Sequence, residues 1–158
     1  MSDCQVIAYA SFGIPSTRMY DILLCMEWNE SYATGFPHLD QQHQTLFKAV
    51  ASMATAVAGE DGAGEYRRLL SFLDRFCRDH FADEEGCMAR HRCSSAHQNK
   101  RQHAGLLELI AQHRRFHAAH GYDPHDAQLL VDALQHWLHS HIGGVDRELR
   151  RCVRSPLS

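Results

Sequence analysis

The chain has 158 residues, 44% apolar and 22% charged, the balance of one globular domain long enough to bury a core without staples. A formal net charge of −3 and the lack of a dense Lys/Arg stripe argue against a nucleic-acid partner. No apolar run reaches bilayer-spanning length, and the opening residues lack a basic start and a long apolar centre, so no membrane association and a cytoplasmic location are expected.

Residues 1–38 are poorly periodic and carry Gly13, Pro15, Gly35 and Pro37. From Leu39 to Val57 the apolar positions Leu39, Leu46, Phe47, Val50, Met53 and Val57 fall in steps that predict a helix, with Asp40 as its cap. The stretch "AGEDGAG" (58–64) predicts a turn. A second helix is expected over roughly Glu65 to His91, with a stripe of Leu69, Leu73, Phe76, His80, Glu84 and Cys87, and a break near "HRCSS". A third runs roughly from Ala96 to Ala119, with Leu106, Leu107 and Ile110 inside. After the turn "HGYDPHD", Asp123 reads as an N-cap and Pro124 as the first residue of a fourth helix, which carries Ala127, Leu130, Val131, Leu134, Trp137, Leu138 and His141. Pro156 closes the tail. No sustained alternating strand and no internal repeat occur. Four helices joined by short turns predict an all-α, up-down-up-down four-helix bundle.

Six cysteines, at 4, 25, 77, 87, 93 and 152, form no CxxC. On one helix Cys77 and Cys87 would lie roughly 15 Å apart, too far to pair. The cysteines are expected to be mostly reduced thiols.

Histidine is the unusual residue, at 13. His43 lies on the stripe of Leu39, Leu46 and Val50. His80 and Glu84 are four apart, on the face of Leu69, Leu73 and Phe76. His103 lies beside Leu106 and Leu107, and His141 is on the fourth helix. Each helix therefore points an imidazole inward. Unpartnered polar groups in a core cost about 1–3 kcal/mol each, and a metal site between facing helices gives them a common partner. Imidazole suits iron, zinc, copper and nickel, so ligand type alone does not fix the metal. Asp146 lies five residues after His141, about 140° around a regular helix. Gly143 and Gly144 between them could relax the backbone and aim Asp146 inward; otherwise it belongs to a solvated "DRELRR" face.

Four segments in order, "WNESYATGFPHLDQQH" (28–43), "HFADEEGCM" (80–88), "NKRQH" (99–103) and "WLHSHIGGVD" (137–146), resemble the bacterial hemerythrins, non-heme di-iron proteins that bind O2. The resemblance implies domain limits of 1–26 for an N-terminal extension, 27–152 for the di-iron bundle with an arm at Trp28, and 153–158 for a tail, with Met26 a candidate natural start. It implies two non-heme iron ions with a bridging oxo or hydroxo group. His43 and His80 would bind one iron, His103 and His141 the other, with Glu84 and Asp146 bridging and Leu138 lining the O2 pocket. The family usually has His-x-x-x-His on the third helix, but the first of those positions is Asn99 here. His97 is six residues from His103, on another face. Asn99 would bind weakly, hold a water or stand aside, which departs from simple reversible O2 carriage. The remaining histidines, His136 and His139 included, are expected at the surface or behind ligands. The implied function is O2 binding for sensing, storage or delivery, with O2 and small anions as ligands. The alternatives are a di-iron enzyme acting on peroxide or NO, and a signalling module reporting redox state to a separate partner.

Overall fold

The computed structural model describes residues 27–59 and 62–154; the expectations for residues 1–26 and 155–158, including Cys4, Cys25 and Pro156, lie outside the described residues. Four long helices dominate: α1 (Pro37–Ala58), α2 (Gly62–Arg90), α3 (Ala96–His120) and α4 (Pro124–Ile142). Short 3-10 turns at Glu30–Tyr32 and Asp146–Glu148 flank them, and a six-residue helix, α5 (Leu149–Arg154), follows. The four long helices form the all-α bundle expected from periodicity. α1 packs on α2 and α4, and α3 packs on the same two, the square of an up-down-up-down bundle. Among the described residues no helix is long and apolar enough to cross a membrane.

Local chemistry explains most boundaries. Asp123 caps α4 by accepting from the Asp126 N–H, with Pro124 in the first turn. Asp40 is not the cap of α1: Phe36 holds that position, and Asp40 sits one turn inside. Its carboxylate accepts instead from the Thr34 backbone N–H at 2.6 Å and the Thr34 hydroxyl at 2.8 Å, fastening the arm to the helix. The turn between α1 and α2 is shorter than "AGEDGAG" suggests, because α2 already starts at Gly62. A Cβ there would lie 2.3 Å from the Ala56 carbonyl oxygen, so only glycine lets the chain turn back so closely. α2 ends with Arg92 in the left-handed region at φ 51°. The Cys93 N–H bonds the Met88 carbonyl at 2.9 Å and the Arg92 N–H that of Ala89 at 3.1 Å, a Schellman closure. α5 was not legible in the sequence, because six residues carry too little periodicity.

The main core runs the length of the bundle, with Phe47, Met53, Leu73, Ile110, Leu130 and Leu138 among its buried side chains. Asp74, itself buried, joins α2 to α3 through Arg114 and takes Arg78 at 3.0 Å. A second, smaller cluster of Leu39, Cys87, Met88, Cys93, Val145 and Leu149 closes one end. The expectation of reduced cysteines needs correcting there. Cys93 and Cys152, 59 residues apart in sequence, form a disulfide with Cα atoms 5.4 Å apart, tying the α2–α3 turn to α5. Cys77 and Cys87 are buried free thiols, as expected.

The topology positions the site. In an up-down-up-down bundle the start of α1, the end of α2, the start of α3 and the end of α4 share one end. His43, His80 and Glu84, Asn99 and His103, and His141 lie at those stations. The arm and α5 cover that end.

Candidate metal centre

His43, His80, Glu84, Asn99, His103, His141 and Asp146 are all buried, none more than 2% exposed. Two sets of ligand-type atoms converge there: His43, His80 and Glu84; and Glu84, His103, His141 and Asp146, each set within 4.8 Å. Glu84 belongs to both. Its Oε2 lies 3.6 Å from His80 Nε2 and 3.4 Å from His103 Nε2. Asp146 also spans the two halves, with Oδ2 3.5 Å from His43 Nε2 and Oδ1 3.1 Å from His141 Nε2.

The end of α4 explains how Asp146 arrives. A regular helix would turn it away from His141. Instead α4 stops at Ile142 and Asp146 begins a 3-10 turn with no exposed surface. A Cβ on Gly143 would sit 2.5 Å from the His139 carbonyl oxygen, and one on Gly144 2.6 Å from that of Ser140. The two glycines allow the chain to fold tightly here, as their position in the sequence suggests.

Imidazole direction is set by the outer nitrogens. His80 Nδ1 lies 2.8 Å from Gln42 Oε1, His141 Nδ1 2.5 Å from Gln102 Oε1, and His103 Nδ1 3.0 Å from Glu85 Oε1. Each acceptor takes the Nδ1 proton and leaves the Nε2 lone pair facing inward. His103 Nε2 and His141 Nε2 approach to 3.0 Å. Gln42, Gln102 and Glu85 were not singled out in the sequence. The available signal was adjacency, since Gln42 precedes His43, Gln102 precedes His103 and Glu85 follows Glu84. A step of about 100° around a helix turns such a residue toward the next helix.

Asn99 faces the same centre. Its Nδ2 donates to Asp146 Oδ1 at 2.9 Å, while its Oδ1 has no hydrogen-bond partner among the described residues. His97 stays outside, exposed and 2.8 Å from an Arg101 guanidinium nitrogen. His139 is at the surface, with Nδ1 2.8 Å from the Tyr32 hydroxyl, and His136 is exposed. Leu138 is buried in the main core, three residues before His141. Rings wall the site: Phe81 stacks on His103 at 3.7 Å, Trp137 on His141 at 4.0 Å, and Trp28 lies 6.2 Å from His43.

Electrostatics explains what this arrangement can hold. Burial drives the His43 imidazole well below its usual range, that of His80 down to about 4 and that of His141 to about 3. These imidazoles are neutral at pH 7, with lone pairs available. Burial pushes the Glu84 carboxyl up to about 7, helped by the facing Asp146 charge, and burial raises Asp146 to about 7. Two such carboxylates can ionise together only against a positive charge. Six of the nine buried side-chain polar atoms without a hydrogen-bond partner, among the described residues, belong to His43, Glu84, Asn99 and Asp146. Orphans concentrated at one point fit a pair of cations, and the mixed imidazole and carboxylate donors fit iron.

The family described as Hemerythrin HHE cation binding domain matches residues 34–152. Myohemerythrin of Riftia pachyptila is 32% identical over 136 residues, covering 86% of this chain and 93% of its own. Myohemerythrin of Theromyzon tessulatum is 23% identical over 120 residues, with 76% and 87% covered. Hemerythrin subunit alpha of Lingula anatina is 30% identical over 83 residues, with 52% and 64% covered. No solved structure gives a significant match.

Proposed function

Because the chain belongs to the hemerythrin family and is a non-heme di-iron, oxygen-binding protein, we propose the division of labour within its metal centre and an oxygen- or redox-sensing role. His43 and His80 would hold one ion, His103 and His141 the other, and Glu84 and Asp146 would serve both. The observation that carries this assignment is the double reach of both carboxylates, each within 3.6 Å of imidazole nitrogens from both halves. Bound as a pair, the ions supply the electrons and the coordination position that O2 binding requires. The protein's own residues do the rest. Gln42, Gln102 and Glu85 hold the outer ring nitrogens, and the two carboxylates offset the cationic charge. Phe81 and Trp137, stacked on His103 and His141, and the buried Leu138 would shield this half from water.

Asn99 favours sensing over storage. It supplies an amide where the family resemblance implies an imidazole, and the amide nitrogen is turned to Asp146. An ion held by His103 and His141 would have two imidazoles and room for water or a small anion. The state of the site would then be read by a separate protein.

The test compares Glu84→Ala with His97→Ala. Iron per chain should remain at about two in His97→Ala and fall below about one in Glu84→Ala, which removes the group common to both halves. Equal iron loss in the two variants would overturn the assignment.

A further inference from the structure

The imidazoles of the centre are held in unequal ways. Among the described residues, neither nitrogen of His43 has a hydrogen-bond partner. His80 and His141 each meet a neutral amide oxygen, from Gln42 and Gln102. On the His80 side a carboxylate acts only at one remove, because Gln42 Nε2 donates to Asp83 Oδ2 at 2.8 Å. His103 alone among the four has a carboxylate directly on Nδ1, that of Glu85 at 3.0 Å. The next carboxylate along α2, Glu84, lies 3.4 Å from the other nitrogen of the same ring. Phe81, one turn earlier, stacks on its face with the planes 6° apart. Three residues of α2 therefore hold His103 on three sides.

This half of the centre is also the half with Asn99. We propose that Glu85 is a positioning residue for His103, and that its negative charge strengthens this imidazole as a metal donor, offsetting the imidazole that Asn99 does not supply. The inference rests on the di-iron reading above. A carboxylate that accepts the Nδ1 proton draws it outward and raises the electron density at Nε2. An amide in its place would keep the hydrogen bond and the ring direction but not the charge. Glu85 is 28% exposed, so it meets water as well as the His103 ring.

The experiment titrates the apoprotein with Co2+ under anaerobic conditions, in wild type, Glu85→Gln, Glu85→Asp and Glu85→Gln/Asn99→His. The midpoint potentials of the iron-loaded forms are measured in parallel. Wild type should take up two Co2+ per chain. Glu85→Gln should weaken one binding event by about 10–100-fold and leave the other unchanged. It should also raise the midpoint potential, because a less electron-rich imidazole stabilises the ferric state less. Glu85→Asp should recover part of the loss, and Asn99→His should restore the weakened event by adding an imidazole. Two Co2+ bound by Glu85→Gln with wild-type affinity and potential would overturn the role of Glu85 and leave the di-iron reading intact. Equal weakening of both events, with no recovery by Asn99→His, would also overturn it, since it would mark a general effect on the fold. Wild type with no second Co2+ would overturn both.

Discussion

Asn99 has two polar atoms and uses one of them on Asp146. A histidine one turn before His103 would face the same point and could reach the second ion. Asn99→His should therefore tighten retention of that ion by roughly tenfold or more, since even outer contacts to metal ligands are worth about 10–100-fold. It should lengthen the lifetime of the O2 adduct and weaken azide binding, both followed by absorption spectroscopy. An adduct stable for hours in wild type and unchanged in the variant would show that Asn99 is immaterial and that the protein is an ordinary carrier. At this scale His43, His80, Glu84, His103 and His141 were legible because a polar residue on an apolar helical stripe breaks the period. Glu85, Gln42 and Gln102 were not, because partly exposed polar side chains beside a stripe look like solvated surface until the neighbouring helix is in place.

Among the elements, the end of α4 is where the chain turns back to the site. Its two glycines let the chain leave the helix and return Asp146 to the site that His141 already faces. Gly143→Ala forces a Cβ to 2.5 Å from the His139 carbonyl oxygen. Overpacking of this kind costs about 1–3 kcal/mol. The variant should unfold at a lower denaturant midpoint and lose iron, whereas a wild-type midpoint and full iron would mean the turn is not constrained. The 3-10 turn itself was invisible to periodicity, and only the glycine pair hinted at it. The Cys93–Cys152 disulfide was missed for a related reason. Its partners are 59 residues apart and meet only when α5 folds back over the α2–α3 turn. Closing a loop of that length is worth about 4 kcal/mol by chain entropy. Cys152→Ser should lose up to about that much stability, measured by urea unfolding without reductant. A stability unchanged in Cys152→Ser would mean that the pair does not fasten this end.

For the whole molecule, the alternation of helices was readable because long amphipathic stretches with turn residues between them leave few other ways to bury their stripes. The same alternation brings four helix ends, and thus the imidazoles, to one end of the bundle. Among the described residues, that end buries polar atoms of His43, Glu84, Asn99 and Asp146 that have no hydrogen-bond partner. A metal pair bound there would accordingly stabilise the fold. Each unpaired buried group costs about 1–3 kcal/mol, and for a chain of this size about 1 kcal/mol moves the melting temperature by about 2–4 °C. Removing metal with a chelator should lower the melting temperature by about 10 °C or more, read by circular dichroism; an unchanged melting temperature would mean that the centre is stable without its ions. Truncation of residues 1–25 should leave iron binding intact, since every proposed ligand lies downstream. The arm should matter more, because Trp28 packs within 6.1 Å of Phe47 and 6.2 Å of His43.

The most direct test loads the apoprotein anaerobically with ferrous iron, removes the excess, admits air and measures iron per chain together with the absorption spectrum. The bridged pair predicts about two irons per chain and new ligand-to-iron charge-transfer bands in the near ultraviolet. Protein that retains no iron and stays colourless after exposure to air would contradict it.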